Sequence, residues 1–360
     1  MAPDEGRTVG AVMRRSFGGL AGLLFGLGKA NFVATIDGRI VGAVVASDFR
    51  IDARRRGGVV KWVFTLPEAR GHGVASALVD RALAWFEERG VTDAFAVVEG
   101  HNAGSSNRFA REGFELLGFD AQVRRYGVGL ARVWWHANHL ADVGHFLWAR
   151  HGPAPATAPD ADAPATGPGL GAFAIGLVLH ALVALLMLAR LGDLGDPGAI
   201  GRVLFGLAAV LTVRTAAQAL AGRAAGLKLR YRPWETGLLL AGAIAAAFGG
   251  TMVAPGGLYP RAPTWSPRAF DPALARVAHA GVGAVLLLGW AAWFATGVPA
   301  LAGVAGSVLA YACILLLLDV LLPFFPMTAY AGRRMLEASR WGWAAMAAAT
   351  VGLWAVWLAG

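Results

Sequence analysis

The sequence holds one cysteine in 360 residues, Cys313, set in an apolar run. A single thiol excludes a disulfide framework and a cysteine-based zinc site, and its expected role is packing. Charge is scarce as well, at 15% of residues against 56% hydrophobic, where a soluble domain carries roughly a quarter charged. Acids are scarcer than bases, 23 against 32, for a net charge of +9. In a soluble protein such an excess suggests nucleic acid. Here the arginines sit in loops beside apolar runs, as the positive-inside rule places them, so no nucleic-acid partner is expected. The chain is too apolar for one soluble domain and too long for a bare membrane bundle, so two domains are expected.

What is present is organised around residues 67–75, Pro-Glu-Ala-Arg-Gly-His-Gly-Val-Ala. The run before it, 59–66, is β-branched and aromatic and stops at Pro67, which cannot donate to a ladder. After it, Val74, Leu78, Ala82 and Trp85 recur at helical spacing, and Gly90 is placed to close the helix. A strand, a glycine turn and a helix N-terminus present unpaired N–H groups and a positive dipole end. Gly71 and Gly73 let that backbone approach a bulky anion such as a pyrophosphate, and Arg70 adds a charge.

Arg70, Gly73 and Ala75, spaced Arg-x-x-Gly-x-Ala, resemble the acyl-CoA-binding motif of the GNAT superfamily of N-acetyltransferases. A second series, Val98, Asn102, Ser105, Phe109, Arg111, Gly113 and Phe114, is similar to the segment of that family leading to its Gly-Phe pair. The resemblance spans 30–120. It implies an α/β fold, a mixed sheet flanked by helices, with acetyl-CoA as acyl donor. It further implies donor contacts at Thr65, Arg70, Gly71, His72, Gly73, Val74 and Ala75, and at Asn102 and Phe109. The strand 92–98 is expected to splay from its neighbour and admit the pantetheine arm.

Two residues bear on catalysis. Glu99, just past that strand, is placed to act as general base, because an ammonium cannot attack a thioester until it loses its proton. A solvated strand-end carboxylate is the alternative reading. Asn102 is assigned with it, in cofactor or acceptor contacts, by the resemblance. Phe109 stands where many family members carry a tyrosine proposed to protonate the leaving thiolate. Phenylalanine cannot do so, but a thiol of reference pKa about 8.5 leaves tolerably without an acid. His101 is a candidate substitute.

Elsewhere in this half, 1–29 reads as the first helical segment of the fold rather than a twin-arginine export signal built on Arg14 and Arg15. Strands are expected at 32–36 and 39–46, joined by Asp37-Gly38, then a basic loop at 50–58 that could attract an acidic acceptor or lipid headgroups. A last strand is expected at 121–127. A helix over 130–148, with tryptophans and cations beside an apolar stripe, suits the membrane interface. His136, His139 and Asp142 have ligand spacing on it, but nothing else completes a metal site and none is expected. Residues 152–168 form an extended Pro/Ala linker.

Beyond the linker, runs long enough to span occur at 169–192, 199–222, 236–254, 277–296, 300–323 and 341–359. Arg214, Thr215, Gln218, Ala221, Gly226, Gly237 and 254–257, with 321–328 later, resemble the core of site-two-protease-like intramembrane zinc metalloproteases. That family needs His-Glu-x-x-His and a distant aspartate, and those positions read Arg214, Thr215, Gln218 and Thr328. The expectation is a protease scaffold without a protease. The basic loops 223–232 and 333–340 belong on one side, which needs an even number of crossings between them, so 236–254 is expected to be re-entrant.

The expected organisation is a GNAT-like domain at 1–127, an interfacial helix and linker at 128–168, and an all-α polytopic membrane domain at 169–360. The expected function is a membrane-tethered N-acetyltransferase. Its head is cytoplasmic, and it acts by direct transfer to a small-molecule or protein amine, with membrane lipid as a further partner. The alternative is a weakly catalytic acyl-CoA-sensing head coupled to an inactive protease-like domain that binds membrane clients.

Overall fold

The computed structural model describes residues 5–18, 22, 25–140, 144–152, 169–262, 264–324 and 330–359. The chain divides into two compact units, Met1–Ala163 and Pro164–Gly360. The Pro/Ala linker expected at 152–168 lies outside the described residues apart from Gly152.

The first unit is an α/β domain. Its elements run α1 (Gly6–Phe17), β1 (Ala30–Ile36), β2 (Arg39–Arg50), β3 (Arg56–Thr65), α2 (Val74–Glu88), β4 (Asp93–Glu99), α3 (Ala103–Arg111), β5 (Glu115–Leu116), α4 (Phe119–Tyr126), α5 (Leu130–His136) and β6 (His145–His151). Six strands form one mixed sheet in the order β1-β2-β3-β4-β6-β5. Asp37 and Gly38 both take positive φ, as the two-residue hairpin between β1 and β2 requires. Val44, Ala46, Val60, Ala94, Ala96 and Val98 face α2, which buries Leu78, Val79, Ala82, Leu83 and Phe86 on them. The opposite face is covered by α1 over Ala43 and Phe64, and by α4 and α5 over Phe49, Val59, Phe95 and Leu147.

At the end of the sheet away from the glycine turn, Asp48 is buried against three cations, of which Arg56 and Arg89 donate to its Oδ2 and Lys29 to its backbone carbonyl. Lys29 Nζ lies 3.2 Å away and Arg89 Nε 3.2 Å, and Arg56 completes the fan. Burial alone would raise its carboxyl, but hydrogen bonds from Lys29, Arg56 and Arg89 hold it down at about 2.

Two expected elements are corrected. Residues 121–126 belong to helix α4, and Gly127 opens a 3-10 turn, rather than a strand: Gln122 is buried there, donating to Leu117 O and accepting from Trp134 Nε1. The helix expected over 130–148 ends at His136, and Asn138 and Gly144 both adopt positive φ. Residues 145–151 are instead the strand β6, paired with β4 and β5, with Phe146, Leu147, Trp148 and Ala149 buried. Hydrophobic on both sides, this run is an inner strand and not an interfacial helix. The domain therefore extends past residue 127, to His151 at least.

Among the described residues the second unit is helical apart from one small ladder. It comprises α6 (Leu170–Leu191), α7 (Pro197–Ala224), β7 (Leu229–Arg232), α8 (Glu235–Phe248), β8 (Gly257–Pro260), α9 (Pro267–Ala295), α10 (Ala302–Leu321), α11 (Gly332–Ala338) and α12 (Arg340–Ala359). Among the described residues five helices are long and apolar enough to cross a membrane: Leu170–Leu191, Pro197–Ala224, Phe270–Ala295, Ala302–Leu321 and Arg340–Ala359. The apolar helix α8 has 14 residues, about 21 Å at 1.5 Å per residue, and falls short of a roughly 30 Å hydrocarbon core. At Gly206 a Cβ would sit 2.8 Å from the backbone of Ser307, so glycine there sets how closely α7 and α10 approach.

Inside this unit Arg214 and Asp319 form a bidentate pair, with Nε–Oδ2 at 2.8 Å and Nη2–Oδ1 at 3.0 Å and both side chains 1% exposed. Arg214 also donates to Gly256 O, and Asp319 accepts from Ala331 N. One ion pair thus fastens the β7–β8 ladder and the start of α11 to two long helices.

Candidate functional site

The site grows from a gap in the sheet. Strands β3 and β4 are parallel and registered over four pairs only, Gly57–Asp93 to Val60–Ala96. Beyond Val60 and Ala96 the two strands diverge, which is the splay expected of 92–98. β3 stays paired with β2 as far as Thr65, and β4 with β6 as far as Glu99, so the facing edges of 61–65 and 97–99 border a cleft.

On the α2 side the cleft opens onto the glycine turn. After a 3-10 turn at Pro67–Ala69, Gly71 and Gly73 take φ of +83° and +74°, where any L side chain is strained, and a Cβ on either would meet nothing within 4 Å. α2 begins at Val74 with no side-chain cap, so the N–H groups of its first turn have no intrahelical acceptor. Arg70 and His72 are exposed beside them, with His72 Nδ1 3.1 Å from Arg70 O. Val74 is the buried first residue of α2 and Ala75 is exposed. Thr65, at the end of β3, has a buried hydroxyl with no hydrogen-bond partner among the described residues. An open glycine turn, an uncapped helix start and an orphaned hydroxyl at the cleft edge fit a phosphate-bearing acyl donor.

The other predicted residues divide. Val97 packs on the α4/α5 face, and strand alternation puts Glu99 on that same face at the mouth of the splay, half-buried. Asn102 is the N-cap of α3, its Oδ1 accepting from Ser105 N at 3.0 Å. That is a structural duty which sequence reasoning did not assign. Phe109 is 3% exposed in the core, edge-on to Phe114 with ring centroids 5.0 Å apart, so its ring fills the core beside α2 and presents no open surface to a donor. Arg15 of α1 pairs with Glu68 next to the turn.

The histidine pattern is described only in part. His136 ends α5 and stacks on Phe49 at 4.5 Å, His139 is buried against Trp134, and Asp142 lies outside the described residues. No group of three or more His, Cys, Asp or Glu that could hold a metal occurs among the described residues. In the second unit, Arg214 and Gln218 are buried, and Thr328 lies outside the described residues.

Sequence reasoning missed two features. Asp319 was the signal for the first, an acid inside an apolar span that requires a cation. Lys61 is the second: it sits where β3 leaves β4, and only strand register reveals this.

Residues 20–114 match the family model described as the Acetyltransferase (GNAT) family, so the first unit carries a GNAT acetyltransferase domain. Similar solved structures include the ribosomal-protein-alanine N-acetyltransferase of Brucella melitensis, 22% identical over 34% of this chain and 67% of that one, with a TM-score of 0.25. N-acetylglutamate synthase from Neisseria gonorrhoeae, complexed with coenzyme A and N-acetyl-glutamate, is 14% identical over 42% of this chain and 33% of that one, at 0.30. The PaiA N-acetyltransferase of Thermoplasma acidophilum, in complex with coenzyme A, is 13% identical over 34% and 59%, at 0.24. No curated protein matches the sequence.

Proposed function

We propose that this chain is a membrane-tethered N-acyltransferase that passes an acetyl group from acetyl-CoA directly to an amine. The observation that carries the reading is the cleft where β3 and β4 part, with the open Gly71–Gly73 turn on one side and Glu99 at its mouth.

In this reading the N–H groups at the start of α2, with Arg70, His72 and the Gly71–Gly73 backbone, hold the donor's phosphates, and Thr65 meets the arm near the thioester. Glu99, directly or through water, takes a proton from the acceptor ammonium. The freed nitrogen attacks the thioester carbonyl, a C–N bond forms and the C–S bond breaks; the second proton of the now cationic nitrogen passes through water to the departing sulfur, so CoA leaves as the thiol and Glu99 returns its proton to solvent. No acyl-enzyme is invoked, since the single cysteine, Cys313, is buried in the other unit. Asn102 is retained as a cap that fixes the loop after Glu99, and Phe109 as its packing.

The head is placed on the cytoplasmic side, because CoA is a cytoplasmic substrate. The loops 223–232 and 333–340 are then cytoplasmic too, with two long helices between them and α8 not crossing. The second unit is read as an intramembrane-protease-like scaffold without proteolysis, because Arg214 at a ligand position is committed to Asp319. Phe109, which has no hydroxyl to donate a proton at that position, favours a second reading in which the head senses acyl-CoA without turnover.

The test uses the full chain in nanodiscs, with acetyl-CoA binding by calorimetry and CoA-thiol release on a panel of amines. Gly73→Asp, which sets a carboxylate at φ +74°, is expected to abolish both. Binding without release on any amine selects the sensor reading, and absence of binding overturns the cleft assignment.

A further inference from the structure

The acceptor side of the cleft carries an unbalanced charge. The β2–β3 ladder runs Val45–Trp62 and then Ala46–Val60, so Lys61 is the extra residue of a bulge. The bulge falls at the level where the β3–β4 ladder stops, at Val60–Ala96. Lys61 therefore stands at the fork itself.

On the face away from α2, two apolar patches flank this level. Trp62 and Phe64 belong to the patch under α1, and Val59, Phe95 and Val97 to the patch under α4 and α5. Lys61 lies between them, half-buried, and its ammonium has no hydrogen bond or ion pair among the described residues. Its charged surroundings are mostly cationic. Lys29, one residue before β1, is level with the bulge through the Ala30–Ala46 pair and is committed to Asp48. His136 on α5 lies close enough to feel both lysines, and Arg132 on α5 donates to Ile51 O. Burial and the Lys29 charge both push the Lys61 ammonium down, as expected of a cation without a counter-charge.

Resting on the acyltransfer reading, we infer that the acceptor is an amine that also bears an anionic group, a carboxylate or a phosphate, and that Lys61 holds that group. A simple alkylammonium would be drawn by Glu99 but would leave the Lys61 charge unpaired and be repelled by it. An anionic group on the acceptor supplies the missing counter-charge and leaves the amine at the fork, on the face shared with Glu99. Lys61 is thus a specificity-determining residue, and it takes no part in the proton transfer.

The test again uses the full chain, in nanodiscs of phosphatidylcholine, with two matched pairs: glycine against glycinamide for the carboxylate, and phosphoethanolamine against ethanolamine for the phosphate. Within one pair or both, the anionic member is expected to have the higher kcat/KM. Lys61→Met should raise its KM about tenfold or more, the size of a lost charged hydrogen bond, with kcat little changed and the neutral member unaffected. Lys61→Arg should restore part of the loss. Because Lys61→Met removes an uncompensated charge, its thermal midpoint should equal or exceed the parent's, which separates the effect from misfolding. Equal loss on both members of a pair, or an anionic preference that survives Lys61→Met, overturns the inference. Calorimetry with N-acetylglycine and phosphoethanolamine covers the case of no turnover. Binding that Lys61→Met abolishes keeps the anion site while the acyltransfer reading falls, and no binding of either anion overturns the site.

Discussion

The two units each bury a carboxylate, and they solve the problem in opposite ways. Asp48 in the head is sealed, but its three cations reach outward, with Lys29, Arg56 and Arg89 side chains 61%, 41% and 44% exposed. Asp319 faces one guanidinium that is as buried as itself. In the first arrangement two other cations remain when any one partner is lost. In the second nothing does, so each charge exists on the condition of the other.

The comparison can be broken most forcefully at Arg214. Arg214→Leu leaves Asp319 stranded, and a loss of about 3–5 kcal/mol is expected. Arg214→Leu with Asp319→Leu should recover most of it, as denaturant titration in detergent would show. If the double variant is as unstable as the sum of the singles, the pair is not closed.

Asp48→Asn should cost less, about 2 kcal/mol, the equivalent of holding its carboxyl at about 2 rather than in the usual range. The sign follows from the lowered value. The stability Asp48 contributes is present above the unfolded carboxylate range and is lost as pH falls from about 4 toward 2, so the variant should lack that part of the acid limb in thermal scans.

Lys29→Met should cost under about 1 kcal/mol at neutral pH, since half-exposed partners are worth little singly. The smallest effect sharpens the contrast further. Raising salt from about 0.1 to 1 M should weaken the Asp48 fan measurably, by comparing parent with Asp48→Asn, while the Arg214–Asp319 coupling stays unchanged, because buried pairs are screened far less.

Much of the proposed donor half of the site could be read from the chain, because its determinants are local. A β-branched run ending at Pro67, glycines at 71 and 73 and helical spacing from Val74 are neighbours in sequence, and they became β3, the turn and α2. The hairpin at Asp37-Gly38 was legible for the same reason. The acceptor half was not, because its determinants are registers. Lys61 reaches the fork through a one-residue slip between β2 and β3, and no single strand displays a slip. β6 was misread because Phe146, Leu147, Trp148 and Ala149 form a short apolar run that periodicity cannot assign to helix or strand. Its burial between β4 and β5 decides it. Asn102 illustrates a third limit: a motif position can serve a helix cap, and sequence alone does not separate that from ligand contact.

The four-pair junction between β3 and β4 also says something about how the domain assembles. Strands β1 to β3 form a meander of near neighbours, so their loops close cheaply. Gly57–Asp93 to Val60–Ala96 joins segments 36 residues apart across a helical crossover, the slower kind of closure. The seam that zips late is the same seam that stays partly open in the finished fold. A donor lodged in it would act as mortar between two halves of the sheet, and amide exchange along β3 and β4 should slow when acetyl-CoA is added.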